Sequence, residues 1–149
     1  MATGHWLTNR GKKNLLLGRG STFKILLLVG TQPVAADTQV EVADLNTVND
    51  LLVTAGATEC SVGGYARQAL ATFTSTEDDT NDRVNLDFAD VSFGALATGQ
   101  TVIGAAIYDA TTDTNDTTRE LVSVDWFATG VPTNGGTFTY AIADLYRLS

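Results

Sequence analysis

VNLDFADVSF, residues 84–93, decides how the chain is read. Val84, Leu86 and Phe88 alternate with Asn85 and Asp87, the two-residue period of a half-buried β-strand. The parity then changes, because the next apolar residues are Val91 and Phe93. A one-residue slip turns side chains to the opposite face, so a bulge near Ala89 and Asp90 restores the buried face of one strand. The acidic turn EDDTND (77–82) precedes the stretch, and a further strand follows it.

The same reading extends outward. In STFKILLLVG (21–30), Phe23, Ile25, Leu27 and Val29 share one face, and Leu26 and Leu28 occupy the other. A strand apolar on both faces lies inside a sheet or beneath another layer. TVIGAAIY (101–108) is also apolar on both faces, with Ile103, Ala105 and Ile107 on one and Val102, Ala106 and Tyr108 on the other. Gly104 admits a close approach by a backbone or side chain. Strands are also expected over 65–74, 120–127 and 137–148, separated by turns such as TGVPTNGG (129–136). Thr8 or Asn9 caps a short helix that Gly18 ends. Asp44 opens a second over DLNTVNDLLV, with Leu45, Val48, Leu51 and Leu52 on its buried side. The expected fold is all-β: a β-sandwich or jelly-roll-like domain of about six strands, with one or two short helices in its N-terminal third.

A chain of 149 residues with 44% hydrophobic and 17% charged residues is one globular domain. Its 23 threonines favour strands over helices. Charge is unevenly spread. The first 24 residues carry five bases and no acid, and the remaining 125 carry 17 acids against four bases; +5 and −13 give the net −8. Residues 1–20 therefore read as a basic arm on an acidic body spanning 21–149. Trp6, Arg10, Lys12, Lys13 and Arg19 are its candidate partner contacts, and Ile103, Ala105 and Ile107 form a candidate interface strand. The alternative pairs the arm with acidic loops of its own domain and buries the strand. An acidic body disfavours nucleic acid. Cys60 is the only cysteine, so no internal disulfide forms. The apolar runs are too short to cross a membrane, and the basic N-terminus is not a secretory signal.

Catalytic parts are missing from the pattern. His5 is the only histidine, which disfavours Ser-His and Cys-His nucleophiles and a zinc site. Asp109, Thr111, Asp113, Asn115, Thr117 and Glu120 have the spacing of a calcium loop, but Thr114 stands where glycine is needed and no helices flank it. Asp87, Asp90 and Asp125 read as the wet side of strands rather than a glycosidase pair. No catalytic residue, metal ligand or cofactor is assigned.

The succession WLTNRGK, GGYARQ, DDTNDR and ADVSF, followed by an apolar strand, a tryptophan strand and NGGTFTY, resembles a family of small tailed-bacteriophage virion proteins. The resemblance implies a non-enzymatic structural protein assembled into a virion in the host cytoplasm. A capsid decoration or cement role is expected, with the major capsid protein or other virion proteins as partners and a trimer or ring of its own copies. A tail or head–tail connector component is the alternative. A carbohydrate-binding β-sandwich is a further one, with Tyr65, Trp126 and Tyr146 as its aromatic candidates.

Overall fold

A computed structural model describes residues 4–16, 22–71, 74–111, 114–142 and 146–148. The fold is all-β. In chain order its strands are β1 (Gly4–Leu7), β2 (Phe23–Val29), β3 (Thr58–Glu59), β4 (Gln68–Leu70), β5 (Thr74–Asp78), β6 (Arg83–Asp87), β7 (Val91–Ala95), β8 (Thr101–Asp109), β9 (Leu121–Pro132), β10 (Thr137–Tyr140) and β11 (Tyr146–Leu148). They form three antiparallel sheets. The largest runs β1-β9-β8-β2, with β3 and β4 sharing the far edge of β2; the others are β10-β7 and β11-β6-β5.

β2 has apolar residues on both faces because both are covered. Phe23, Ile25, Leu27 and Val29 pack with Phe88, Val91, Phe93 and Tyr140, so the β7-β10 pair lies over this side. Leu26 and Leu28 pack with Val42, Val48 and Leu51 beneath a helical layer spanning 34–57. Each such leucine, fully buried, contributes roughly 1.5–3 kcal/mol. The architecture is sandwich-like, with the large sheet in the middle.

The stretch 84–93 is not one bulged strand. β6 joins the β5-β6-β11 sheet and β7 joins β10, so the change of parity marks a crossing between sheets. Phe88 is 2% exposed at the corner, edge-on to Phe23 at 5.4 Å. The Asp87 carboxylate accepts from the Phe88 N–H at 2.8 Å, and Asp90 accepts from the Ile142 N–H at 2.9 Å. These two acids therefore shape the corner rather than merely solvate a strand.

A second correction concerns Ile103. Both neighbours of β8 shift register around it, so Val102 and Ile103 exchange the faces that strict alternation assigns. Val102, Ala105 and Ile107 face β7-β10, and Ile103, Ala106 and Tyr108 face the helical layer. Gly104 lies opposite Trp126, and a β-carbon there would stand 2.8 Å from the indole Cε3. This is the close approach expected of that glycine.

The N-terminal segment is docked rather than extended as an arm. β1 pairs with β9 from Gly4↔Trp126 to Leu7↔Ser123. Helix α1 (Asn9–Leu16) follows. The Thr8 hydroxyl caps it, accepting from the Gly11 N–H at 2.8 Å and donating to the Leu121 carbonyl. Gly11 is required by packing: a β-carbon would stand 2.1 Å from the Val122 carbonyl oxygen of β9. Residues 17–20, with the Gly18 stop, lie outside the described residues.

The second helix also differs from expectation. Asp44 ends α2 (Gln39–Asp44) instead of opening a helix. Thr38 caps α2 in a reciprocal pair with Glu41, and this T-x-x-E signature was readable at 38–41. The expected apolar face starts later, after Thr47, whose hydroxyl accepts from the Asp50 N–H at 3.1 Å; it ends in a wide π-type turn over Asp50–Thr54. Leu45, Val48 and Leu51 are buried as the spacing requires.

Candidate functional site

The expected partner contacts fall into distinct environments. Ile103, Ala105 and Ile107 are 6%, 2% and 2% exposed within this chain's own core, so β8 offers no free face to a partner. Trp6 is half-buried against the helical-layer cluster. Arg10 is exposed and pairs with Glu120 at 2.9 Å, and Lys12 is half-buried. Lys13 lies on α1, and Arg19 lies outside the described residues. Arg10 thus meets an acid of its own domain, as the alternative reading of the basic segment required.

Sequence reasoning missed the most concentrated polar cluster, which is built around Arg67. β3 and β4 pair with opposite ends of β2, at Leu28–Val29 and Phe23–Ile25. Between them the chain 60–67 supplies the missing edge bonds: the Cys60 N–H donates to the Leu27 carbonyl, and the Leu27 N–H donates to the Tyr65 hydroxyl. This detour brings Glu59 and Arg67 together. From the other side, the loop between β8 and β9 is pinned to the helical layer by Asn49 N–H to Asp116 O at 2.9 Å and Val48 N–H to Arg119 O at 3.1 Å. It delivers Asp116 and Arg119.

Arg67 grips both carboxylates in forks. Its Nε and Nη2 donate to Glu59 at 2.7 and 2.6 Å, and its Nη1 and Nη2 donate to Asp116 at 2.7 and 2.8 Å. Arg119 adds a bond to Asp116 at 2.8 Å. Both guanidinium groups sit over the Tyr108 ring, with Cζ 5.3 and 5.4 Å from its centroid. The Tyr65 hydroxyl donates to Glu59 at 2.7 Å. The bonds that Arg67 donates to Glu59, and then to Asp116, raise its pKa, while Arg67 and then Arg119 hold the Asp116 carboxyl below its ordinary range. Burial pushes the Tyr65 phenol well up, with the Glu59 charge adding to it. Beside this cluster a cleft of about 550 Å³ is lined by Lys24, Arg67, Tyr108, Thr114, Asn115, Asp116 and Arg119. A lone arginine just before β4 gave no spacing signal, because one of its acids comes from β3 and the other from the loop between β8 and β9.

The calcium-loop spacing does not assemble a cage among the described residues. Glu120 faces Arg10, the Asn115 side-chain oxygen accepts from the Thr117 N–H at 3.1 Å, and the Asp109 carboxylate accepts from the Thr111 N–H at 2.8 Å. Asp113 lies outside the described residues. No cluster of three metal-binding side chains occurs among those described. Asp125 accepts a bond from the Tyr140 hydroxyl, whose pKa burial raises further than the Asp125 charge does. Trp126 is 1% exposed, and the hydroxyl of half-buried Tyr65 is engaged, so neither offers an aromatic platform for sugar. No helix among the described residues is long and apolar enough to cross a membrane.

Comparison with known protein families, with curated proteins and with solved structures finds no match to this chain.

The depressed Asp116 carboxyl sets an acid limit. An unfolded aspartate titrates near pH ~3.9. A group depressed on folding stabilises the native state above that value, and the contribution is lost as pH falls through the lower folded value. Urea midpoints are therefore expected to fall from about pH 4 downward, and Asp116→Asn is expected to flatten that part of the curve. An unchanged acid dependence in the variant would refute the assignment.

Proposed function

We propose that this protein is a non-enzymatic structural component of a tailed-bacteriophage particle, a capsid decoration or cement protein acting through protein–protein contacts. The order of its sequence motifs suggests the reading. The observation that carries it furthest is the β5-β6-β11 sheet. Among the described residues its outer strand β5 pairs only with β6, and Thr74, Ser75, Thr76 and Glu77 are all exposed. An open edge of threonine-rich strand offers main-chain donors and acceptors to another chain. The outer side of the helical layer adds Val34, Val40 and Val53, exposed by 78%, 73% and 72%.

Quantitative mass spectrometry of purified particles of the encoding phage tests the proposal. Hundreds of copies per particle are expected for a shell protein. A handful would move it to a tail or connector ring, and absence from the particle would end the proposal.

A further inference from the structure

We propose that the cleft at Lys24, Arg67 and Arg119 receives the acidic turn 77–82 of a second copy of this chain. The inference rests on the assembly reading above and names one contact within it.

The cleft brings three cationic side chains together on a strongly acidic protein. Among the described residues Arg67 pairs with Glu59 and Asp116, and Arg119 with Asp116, in a chain whose net charge is −8. Lys24 stands outside these ion pairs. It is half-buried on β2, opposite Tyr108 on one side and Ala69 on the other, and has no ion-pair partner among the described residues. Arg67 is already held in two forks, which fixes one wall of the cleft before any ligand arrives. An added carboxylate would give Lys24 a charged partner, and bonds between charged partners are roughly twice as strong as neutral ones.

The complementary group is on the same molecule's surface. The β5-β6 turn carries Glu77, Asp78, Asp79 and Asp82 within six residues, and all but Asp78 are exposed. Asp78 folds the turn inward, accepting from the Asn81 backbone N–H and from its side-chain amide at 2.9 Å. Glu77 and Asp79 have no ion-pair partner among the described residues. A cleft and a turn at different places on one surface make a head-to-tail contact, the kind that closes into rings or propagates.

Sedimentation velocity of the whole chain tests this with paired charge reversals. Asp82 is left unchanged, because its backbone is left-handed at φ 52°. The wild type is expected to self-associate, and more weakly as NaCl rises from about 50 to about 500 mM. Lys24→Glu and the double variant Glu77→Lys/Asp79→Lys are each expected to associate about tenfold more weakly. An equimolar mixture of the two variants should recover association, because each supplies the charge the other lost. A monomeric wild type, variants that associate normally, or a mixture that stays monomeric would each overturn the contact. Circular dichroism confirms folding, and Lys24→Gln serves if Lys24→Glu does not fold. Particle incorporation of Lys24→Glu at wild-type copy number, without self-association, would remove this contact and leave the virion assignment standing.

Discussion

Replacing Trp126 by alanine is expected to lower stability by about 3–5 kcal/mol, the range for removing a buried aromatic. The indole is 1% exposed between the large sheet and the helical layer. Its Nε1–H donates to the Ala36 carbonyl at 2.7 Å, a bond that ties the layer to the sheet. Truncation removes the ring, opens a cavity beside Gly104 and leaves the Ala36 carbonyl without this donor. Urea unfolding should show the loss with little change in slope, and the melting temperature should drop by roughly 10 °C. Trp126→Phe keeps most of the volume and loses the bond, so about 1–2 kcal/mol is expected. A Trp126→Ala loss below about 1 kcal/mol would mean that the helical layer does not depend on this contact.

Replacing Arg67 by alanine is expected to cost about 2–3 kcal/mol. Breaking a buried ion pair by removing one partner costs roughly 3–5 kcal/mol, because the other charge is left without compensation. Here two carboxylates are left, but the side chains of Arg67, Glu59 and Asp116 are 19%, 21% and 31% exposed, and solvent screens part of the penalty. Arg67→Lys recovers little, since an ammonium cannot make two forks at once. The loss should shrink as pH falls toward 4, where the stranded Asp116 carboxylate takes up a proton. A pH-independent loss measured by urea titration would point to packing against Tyr108 instead of charge.

The core of this fold was legible because β2 obeys its period. Residues 23–29 divide between the two faces as the alternation of apolar residues requires, and Gly104 was correctly marked as a place of close approach. Legibility failed wherever pairing, not composition, set the answer. A change of parity at Phe88 to Val91 is equally consistent with a bulge and with a strand that leaves its sheet. Only the partners of β6 and β7 distinguish them. The register shift at Ile103 was invisible for the same reason. Charge asymmetry left open an arm reaching a neighbour or a first element paired within its own domain, and residues 4–7 have the extended backbone that the open edge of β9 accepts. The Arg67 cluster draws on residues 59, 67, 116 and 119, and no local spacing encodes such a meeting.

The docking of β1 onto β9 also bears on how the chain is made. Gly4 leaves the ribosome well before its partner Trp126, which follows more than a hundred residues later. At ~5–20 residues per second, the first strand waits on the order of ten seconds for the edge it completes. During that time, Trp6 and Leu7 lack the neighbours that later cover them. The arrival of β9 therefore governs when residues 4–7 become native, and such non-local pairing favours slow folding, in the range of about milliseconds to seconds.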